Sequence, residues 1–280
     1  MDYQPIFLIG AARSGTKVLR DAISTHPDIA KIEYDINFIW KRYNENINHD
    51  ELDETNIKSK FIKFINGYFT KKAKNKPYLI EKTVSNSLRI KFLLNTFPNA
   101  KFIILYRNGI DVVESVMRQW GKAPDNRYLF RKLTSVPIIQ VLPFMIGYAI
   151  NTIKIKAGFH PRNDYIWGVR YKGWEKDLNS NSILEISSKQ WNYCINSIIK
   201  DKNKIKQDKR IEIYYEDLVE KPSEQFRRIA HFLELDGKGF NYDNIKDSNI
   251  GKSKNSLSNN KYKEIEYLLN NNLKKLGYLR

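Results

Sequence analysis

The chain opens on an unbroken apolar run, Ile6 to Ile9, followed by the glycine-framed loop Gly10-Ala11-Ala12-Arg13-Ser14-Gly15-Thr16-Lys17. Val18, Leu19, Ala22 and Ile23 then recur at helical spacing. That order predicts a buried strand, a tight loop and a helix over about Thr16 to Thr25, closed by the turn His26-Pro27-Asp28. Further strands are predicted at Ile29 to Ile36, Tyr78 to Ile80, Lys101 to Tyr106 and Arg210 to Tyr215, the last with Ile211, Ile213 and Tyr215 alternating. Helical spacing recurs over Phe61 to Phe69, Leu88 to Asn95, from Ile110-Asp111 onward, over Ser187 to Lys200, over Pro222 to Leu235, and in a last helix up to Leu276. In the Ile110 helix, Val112, Val113, Val116 and Met117 are expected to face inward.

The first loop is where chemistry is expected. N–H groups at a helix start lack partners and favour anions, and Arg13, Ser14, Thr16 and Lys17 add two cations and two hydroxyls. Gly10 and Gly15 match the spacing of the nucleotide P-loop, Gly-x4-Gly-Lys-Ser/Thr. The next two residues are reversed, Thr16 before Lys17, and a cation sits inside the loop at Arg13. The loop therefore reads as a phosphate cradle that does not depend on a metal, set against a plain strand-turn-helix with a surface arginine.

In a parallel sheet, loops at the strand ends build the site. The second strand is expected to end in Glu33 and Asp35, two residues apart and so on one face; either could be a general base, and both could be solvated charges. Lys82, at the end of the third strand, is a second candidate cation. Arg107, Ser115 and Arg118, following the fourth strand, can converge on one phosphate group.

Composition narrows this only a little. The 280 residues suit one large domain or a domain with an inserted subdomain, and 48 basic against 31 acidic residues give a net charge of +17. Such charge suits nucleic acid, a polyanionic ligand or an acidic membrane surface, but no recognition-helix, zinc or RNA-stacking motif supports nucleic acid as a partner. The one cysteine, Cys194, allows neither an intramolecular disulfide nor a cysteine-based metal site, and is expected to be a small buried hydrophobe. His26, before a proline at a helix end, is expected to be structural. No secretory signal pattern is visible at the start, which leads to a cytoplasmic expectation. Val136 to Ile150 is apolar but broken by Pro137, Pro143 and Gly147, too interrupted for a membrane span. Residues 133–155 are thus a candidate for peripheral membrane contact or an acceptor pocket, against a plain subdomain core. Trp167-Gly168-Val169-Arg170-Tyr171 and Trp174 offer flat rings for a sugar or acceptor, with packing as the default role.

Three blocks in order, the loop with Arg13-Ser14-Gly15-Thr16, the strand followed by Arg107-x7-Ser115, and Tyr215-Glu216-Asp217-Leu218, resemble the sulfotransferase family. The resemblance covers residues 4–36, 78–120 and 210–280. It implies an α/β fold, a P-loop-like three-layer sandwich with a central parallel sheet flanked by helices, as one domain over 1–280 with an inserted acceptor-side region at about 121–185. It implies transfer of a sulfuryl group from 3′-phosphoadenosine-5′-phosphosulfate (PAPS) to a hydroxyl acceptor, with 3′-phosphoadenosine-5′-phosphate (PAP) as product and no metal.

By the same resemblance, Arg13, Ser14, Gly15, Thr16 and Lys17 hold the 5′-phosphosulfate, with Arg13 bridging phosphate and departing oxygen. Arg107 and Ser115 hold the 3′-phosphate, Arg118 being a looser match, and Tyr215 lies against adenine. Glu33-Tyr34-Asp35-Ile36-Asn37-Phe38 is similar to a Glu-x-Glu-x-x-Phe-Phe segment bearing the catalytic base of glycan sulfotransferases, which favours Asp35 over Glu33. Glu81-Lys82-Thr83 looks like Glu-Lys-Ser/Thr-Pro, with Lys82 near base and acceptor and Val84 in place of proline. Gly251-Lys252-Ser253-Lys254 is similar to a Gly-Arg-Trp-Arg cofactor lid, Ser253 replacing tryptophan. Rival readings are a P-loop kinase or NTPase and a module that binds a nucleotide without catalysis. The acceptor, whether glycan, lipid, peptide or small metabolite, is not specified by sequence.

Overall fold

The computed structural model describes residues 3–120, 166–245 and 250–280. The apolar stretch 136–150, the membrane-contact candidate 133–155 and most of the acceptor-side region 121–185 lie outside the described residues.

Five strands, β1 (Gln4–Ile9), β2 (Ile29–Lys31), β3 (Tyr78–Glu81), β4 (Lys101–Tyr106) and β5 (Arg210–Tyr214), form one sheet in the order β2-β3-β1-β4-β5. Every neighbouring pair is parallel, with Phe7 opposite Glu81, Ile9 opposite Ile104 and Tyr106 opposite Tyr214. The helices are α1 (Thr16–Ile23), α2 (Asn37–Trp40), α3 (Ser59–Ala73), α4 (Ile90–Thr96), α5 (Gly109–Met117), α6 (Trp174–Ser180), α7 (Ile183–Asp201), α8 (Tyr215–Glu220), α9 (Pro222–Leu233), α10 (Lys252–Ser256) and α11 (Asn259–Lys275).

The unbroken apolar run of β1 is explained by burial on both faces. Alternate side chains enter different cores. Phe7 and Ile9 pack with Trp40, Phe61, Phe69, Phe92 and Trp191 on one face. Ile6 and Leu8 pack with Leu19, Ile23, Phe226, Ile229 and Leu233 on the other. Layers of helix, sheet and helix result, in agreement with the expected sandwich.

Several local expectations change. Helix α1 ends at Ile23, and Val18 is exposed while Arg20 is buried. The Arg20 guanidinium is satisfied by Asp21 and by the carbonyls of Ile32 (3.2 Å) and Glu33 (2.7 Å). Strand β2 stops at Lys31, opposite Ile80 in the ladder, so Glu33 and Asp35 lie in the following turn and not on a shared strand face. Two carbonyls of that turn face Arg20 instead of a strand. Helix α7 begins at Ile183, where Ser182 and Glu185 form a capping box. His26 is structural: Nδ1 accepts the Asp28 N–H and Nε2 faces the Asp236 carbonyl. Trp174 is buried with Nε1 donating to the Asn48 carbonyl, and Tyr171 stacks on Tyr193 at 4.3 Å, so this segment's rings are packing residues. Cys194 is buried and burial pushes its thiol up to about 12, which keeps it protonated and inert.

Candidate active site

The strand order places the end of β1 beside the ends of both β3 and β4. The strand order switches at β1, with β2 and β3 laid to one side of it and β4 and β5 to the other, and crevices at the carboxyl ends of such sheets take ligands. Three turns meet there: 10–15 after β1, 82–84 after β3 and 107–108 after β4.

The first turn is tight for identifiable reasons. A Cβ at Gly10 would lie 2.8 Å from the Leu105 carbonyl oxygen and 2.9 Å from Thr16 Cγ2. Gly15 has φ +91, and a Cβ there would stand 2.5 Å from the Tyr215 ring. Arg13 holds φ +64, a left-handed conformation uncommon for a residue with a side chain. Helix α1 starts at Thr16 with no side chain capping it, so its first N–H groups remain available. Ser14 is buried and its Oγ has no hydrogen-bond partner among the described residues. Thr16 is buried, whereas Lys17 is exposed at the helix start.

The fourth strand brings its own cation to the same place. Arg107 Nη1 donates to the Arg13 carbonyl at 2.9 Å, and its guanidinium lies 4.3 Å from the centre of the Tyr215 ring. Arg13 Nε donates to Ser115 Oγ at 3.0 Å. Arg13, Arg107, Ser115 and Tyr215 are therefore gathered, with Arg13 as the member that touches Ser115. The expected trio of Arg107, Ser115 and Arg118 is modified: Arg118 is half-exposed and pairs with Glu114 at 2.7 Å. Its charge still reaches the site. Desolvation, then Arg118 and Arg107, hold the Arg13 guanidinium below its ordinary pKa. Three like charges this close favour an anion between them.

Glu216 was not singled out by sequence. Its carboxylate accepts the Asn108 N–H at 3.0 Å and the Tyr278 hydroxyl at 2.7 Å, tying the turn after β4 to α8 and the last residues. The signal was its place in Tyr215-Glu216-Asp217-Leu218. Asp111 pins α10 in the same way, accepting the N–H groups of Gly251 (2.8 Å) and Ser253 (3.0 Å). Ser253 faces inward, and Lys252 and Lys254 are exposed on this short helix.

On the β3 side the two candidate carboxylates part company. Glu33 is exposed and 3.4 Å from Lys31. Asp35 turns toward the sheet: Lys82 Nζ donates to Oδ1 at 2.8 Å, and the Val84 N–H approaches Oδ2 at 3.3 Å. Lys82 is nearly buried, so the ion pair is sheltered on the lysine side and open on the aspartate side. A cavity of about 120 Å³ opens beside Asp35, lined among others by Tyr34, Phe38, Tyr68, Lys31 and Lys72. A wider cleft of about 370 Å³ lies at the opposite end of the strands, between residues preceding β4 and β5, and takes no part in this arrangement.

Comparison with known proteins bears on the family and the fold. The sequence profile of the sulfotransferase family matches residues 5–135 and 165–238. Mouse protein-tyrosine sulfotransferase 1 is 31% identical over 127 residues, 41% of this chain and 34% of that protein. The chain thus spans about a third of the length of this curated relative. Two solved structures share the fold: the sulfotransferase domain from the curacin biosynthetic pathway (TM-score 0.51, 16% identity, 84% of this chain and 75% of that one), and a sulfotransferase from Alicyclobacillus acidocaldarius (TM-score 0.51, 14% identity, 99% and 95%).

Proposed function

The chain belongs to the sulfotransferase family, and from that premise we propose that it transfers a sulfuryl group from PAPS to a hydroxyl acceptor, releasing PAP. The observation that carries this reading is the meeting of two cationic turns from neighbouring strands: Arg107 holds the Arg13 carbonyl, and Arg13 holds Ser115. One nucleotide with phosphate at both ribose ends suits two such adjacent grips.

The residues present fit that donor. The buried, unpartnered Ser14 hydroxyl and the uncapped start of α1 supply donors for a 5′-group, with Arg13 and Lys17 as cations. Arg107 and Ser115 would hold the 3′-phosphate, with Arg118 at its outer side. Tyr215, buried against Gly15 and under Arg107, would support the adenine end through these two residues. Lys252 and Lys254 would close over the nucleotide from α10. When bound, PAPS supplies an activated sulfuryl group that passes in line from a phosphate oxygen to the acceptor oxygen. The chain's part is placement and charge, as in phosphoryl transfer. Arg13, Lys17 and loop N–H groups neutralise charge developing on the moving group and the departing phosphate.

Asp35 is the proposed base. Lys82 orients it through Oδ1, leaving Oδ2, with its long Val84 contact, to take the acceptor proton. Glu33, exposed beside Lys31, is set aside from that role. The aromatic and lysine-lined cavity next to Asp35 would receive the acceptor. Peptide tyrosine is the first acceptor to test, since the mouse relative carries that substrate in its name. The decisive experiment is calorimetry with PAP against ATP, then a screen of tyrosine peptides, glycans and small alcohols with 35S-labelled PAPS. PAP binding that ATP does not match, with label transfer, supports the reading; equal or stronger binding of ATP with magnesium-dependent turnover replaces it with a kinase or NTPase.

A further inference from the structure

We propose that Thr83 is a positioning residue, its hydroxyl locking the Asp35–Ile36 turn to the buried side chain of Glu81 and so fixing where the Asp35 carboxylate stands. The proposal rests on the transferase reading above and deepens it.

Three successive positions after β3 grip two successive positions after β2. Lys82 Nζ donates to Asp35 Oδ1 at 2.8 Å. Thr83 Oγ1 accepts the Ile36 N–H at 2.9 Å. The Val84 N–H points to Asp35 Oδ2 at 3.3 Å. The middle contact differs in kind, because it is made by a buried hydroxyl that is itself held. Thr83 donates its single proton to Glu81 Oε1, which leaves the oxygen's lone pairs for the Ile36 amide. Glu81 is rigidly placed: it is fully buried, it lies opposite Phe7 in the β1–β3 ladder, and its second oxygen accepts from Asn86 Nδ2.

The chain of support runs from sheet to Glu81 to Thr83 to Ile36, whose carbonyl accepts the Ile39 and Trp40 N–H groups that open α2. Asp35 precedes Ile36 directly. The turn needs such an anchor, since β2 has already ended at Lys31. A base displaced by about 1 Å loses on the order of a hundredfold in rate, so a hydroxyl that never touches the acceptor can control turnover.

Thr83→Val keeps the side chain's shape and removes the hydroxyl; Thr83→Ser keeps the hydroxyl. In Thr83→Val we expect kcat for transfer from labelled PAPS, to a tyrosine peptide or the acceptor returned by the screen, to fall about tenfold or more. PAP affinity by calorimetry should stay within about twofold, and amide exchange over residues 33–38 should speed by about tenfold, a single lost hydrogen bond's worth. Thr83→Ser should restore all three readouts. Should Thr83→Val fail to fold, Thr83→Cys, of similar volume and a weak acceptor, takes its place with the same expectations. Undiminished kcat beside an active wild type, equal losses in the valine and serine variants, or unaccelerated exchange overturns the role of Thr83 alone. A wild-type chain that neither binds PAP nor consumes PAPS overturns the transferase reading and this proposal with it.

Discussion

Arg13 Nε donates to Ser115 Oγ at 3.0 Å, joining two residues 102 positions apart in the chain. The contact links the turn after β1 to α5, and so couples the two grips proposed for the nucleotide's two ends. Ser115→Ala removes the hydroxyl from both Arg13 and the 3′-phosphate. PAP affinity should fall about tenfold, ~1.4 kcal/mol, while ATP, which lacks a 3′-phosphate and meets Ser115 only through Arg13, should lose less. Calorimetry with both nucleotides checks the difference.

Arg107 combines a bond to the Arg13 carbonyl with a stacked position on Tyr215. Lysine can reproduce the charge but neither the planar fork nor the stacking. Arg107→Lys should therefore weaken PAP binding by about 30- to 100-fold, the worth of a charged hydrogen bond. A lysine variant binding within about threefold of wild type would show that charge alone suffices.

Asp35→Asn keeps the shape of the turn and removes the base. Turnover should drop about 10²- to 10⁴-fold, with PAP affinity retained, because Asp35 belongs to the β3 half of the site. Glu33→Gln should leave turnover near wild type, as its side chain stands in solvent beside Lys31. Comparing kcat with PAP affinity in the two variants separates base from bystander.

Glu81 should impose a pH dependence on stability. Burial pushes its carboxyl from 4.5 up to about 7; Asp35 adds to the rise, while Thr83, Trp40 and Arg89 oppose it. The folded state therefore holds this proton more tightly than the unfolded state. The resulting stabilisation is complete below pH 4.5 and is lost as pH rises through about 7. Asp50 works in the opposite sense. Burial alone would raise its pKa, but the Arg89 charge, the Arg170 N–H and the Asn37 and Ser85 side chains outweigh it and hold it below 3.8. Its stabilisation is present above 3.8 and is lost as pH falls through the lower folded value. Glu81→Gln should flatten the fall in melting temperature between about pH 5 and pH 8, and Asp50→Asn should flatten the acid limb below about pH 4. Thermal melts across that range read both.

Much of this was legible where the signal is local. The run Ile6 to Ile9, the paired glycines and the helix after them needed no distant partner to declare themselves, and the β4 run followed by Arg107 was equally plain. Glu33 and Asp35 misled because β-propensity does not say where a ladder ends; the turn is fixed by Arg20 and by Thr83, 47 positions beyond Ile36. Arg118 was placed with Arg107 and Ser115 by its position on the same helix; its (i, i+4) pairing with Glu114 was equally legible. The start of α7 was also readable, four residues earlier than the apolar spacing suggested, from Ser182-x-x-Glu185.

The position of β1, between β3 and β4, splits the labour of the proposed site between two tracts of chain that meet along one seam. The residues assigned to the acceptor come from 31–84, and those gripping the far end of the donor come from 107–118 and 215. Diversification on the first tract can retune what is modified without disturbing how the donor is held, so relatives of this chain would be expected to part ways in target long before they part ways in nucleotide.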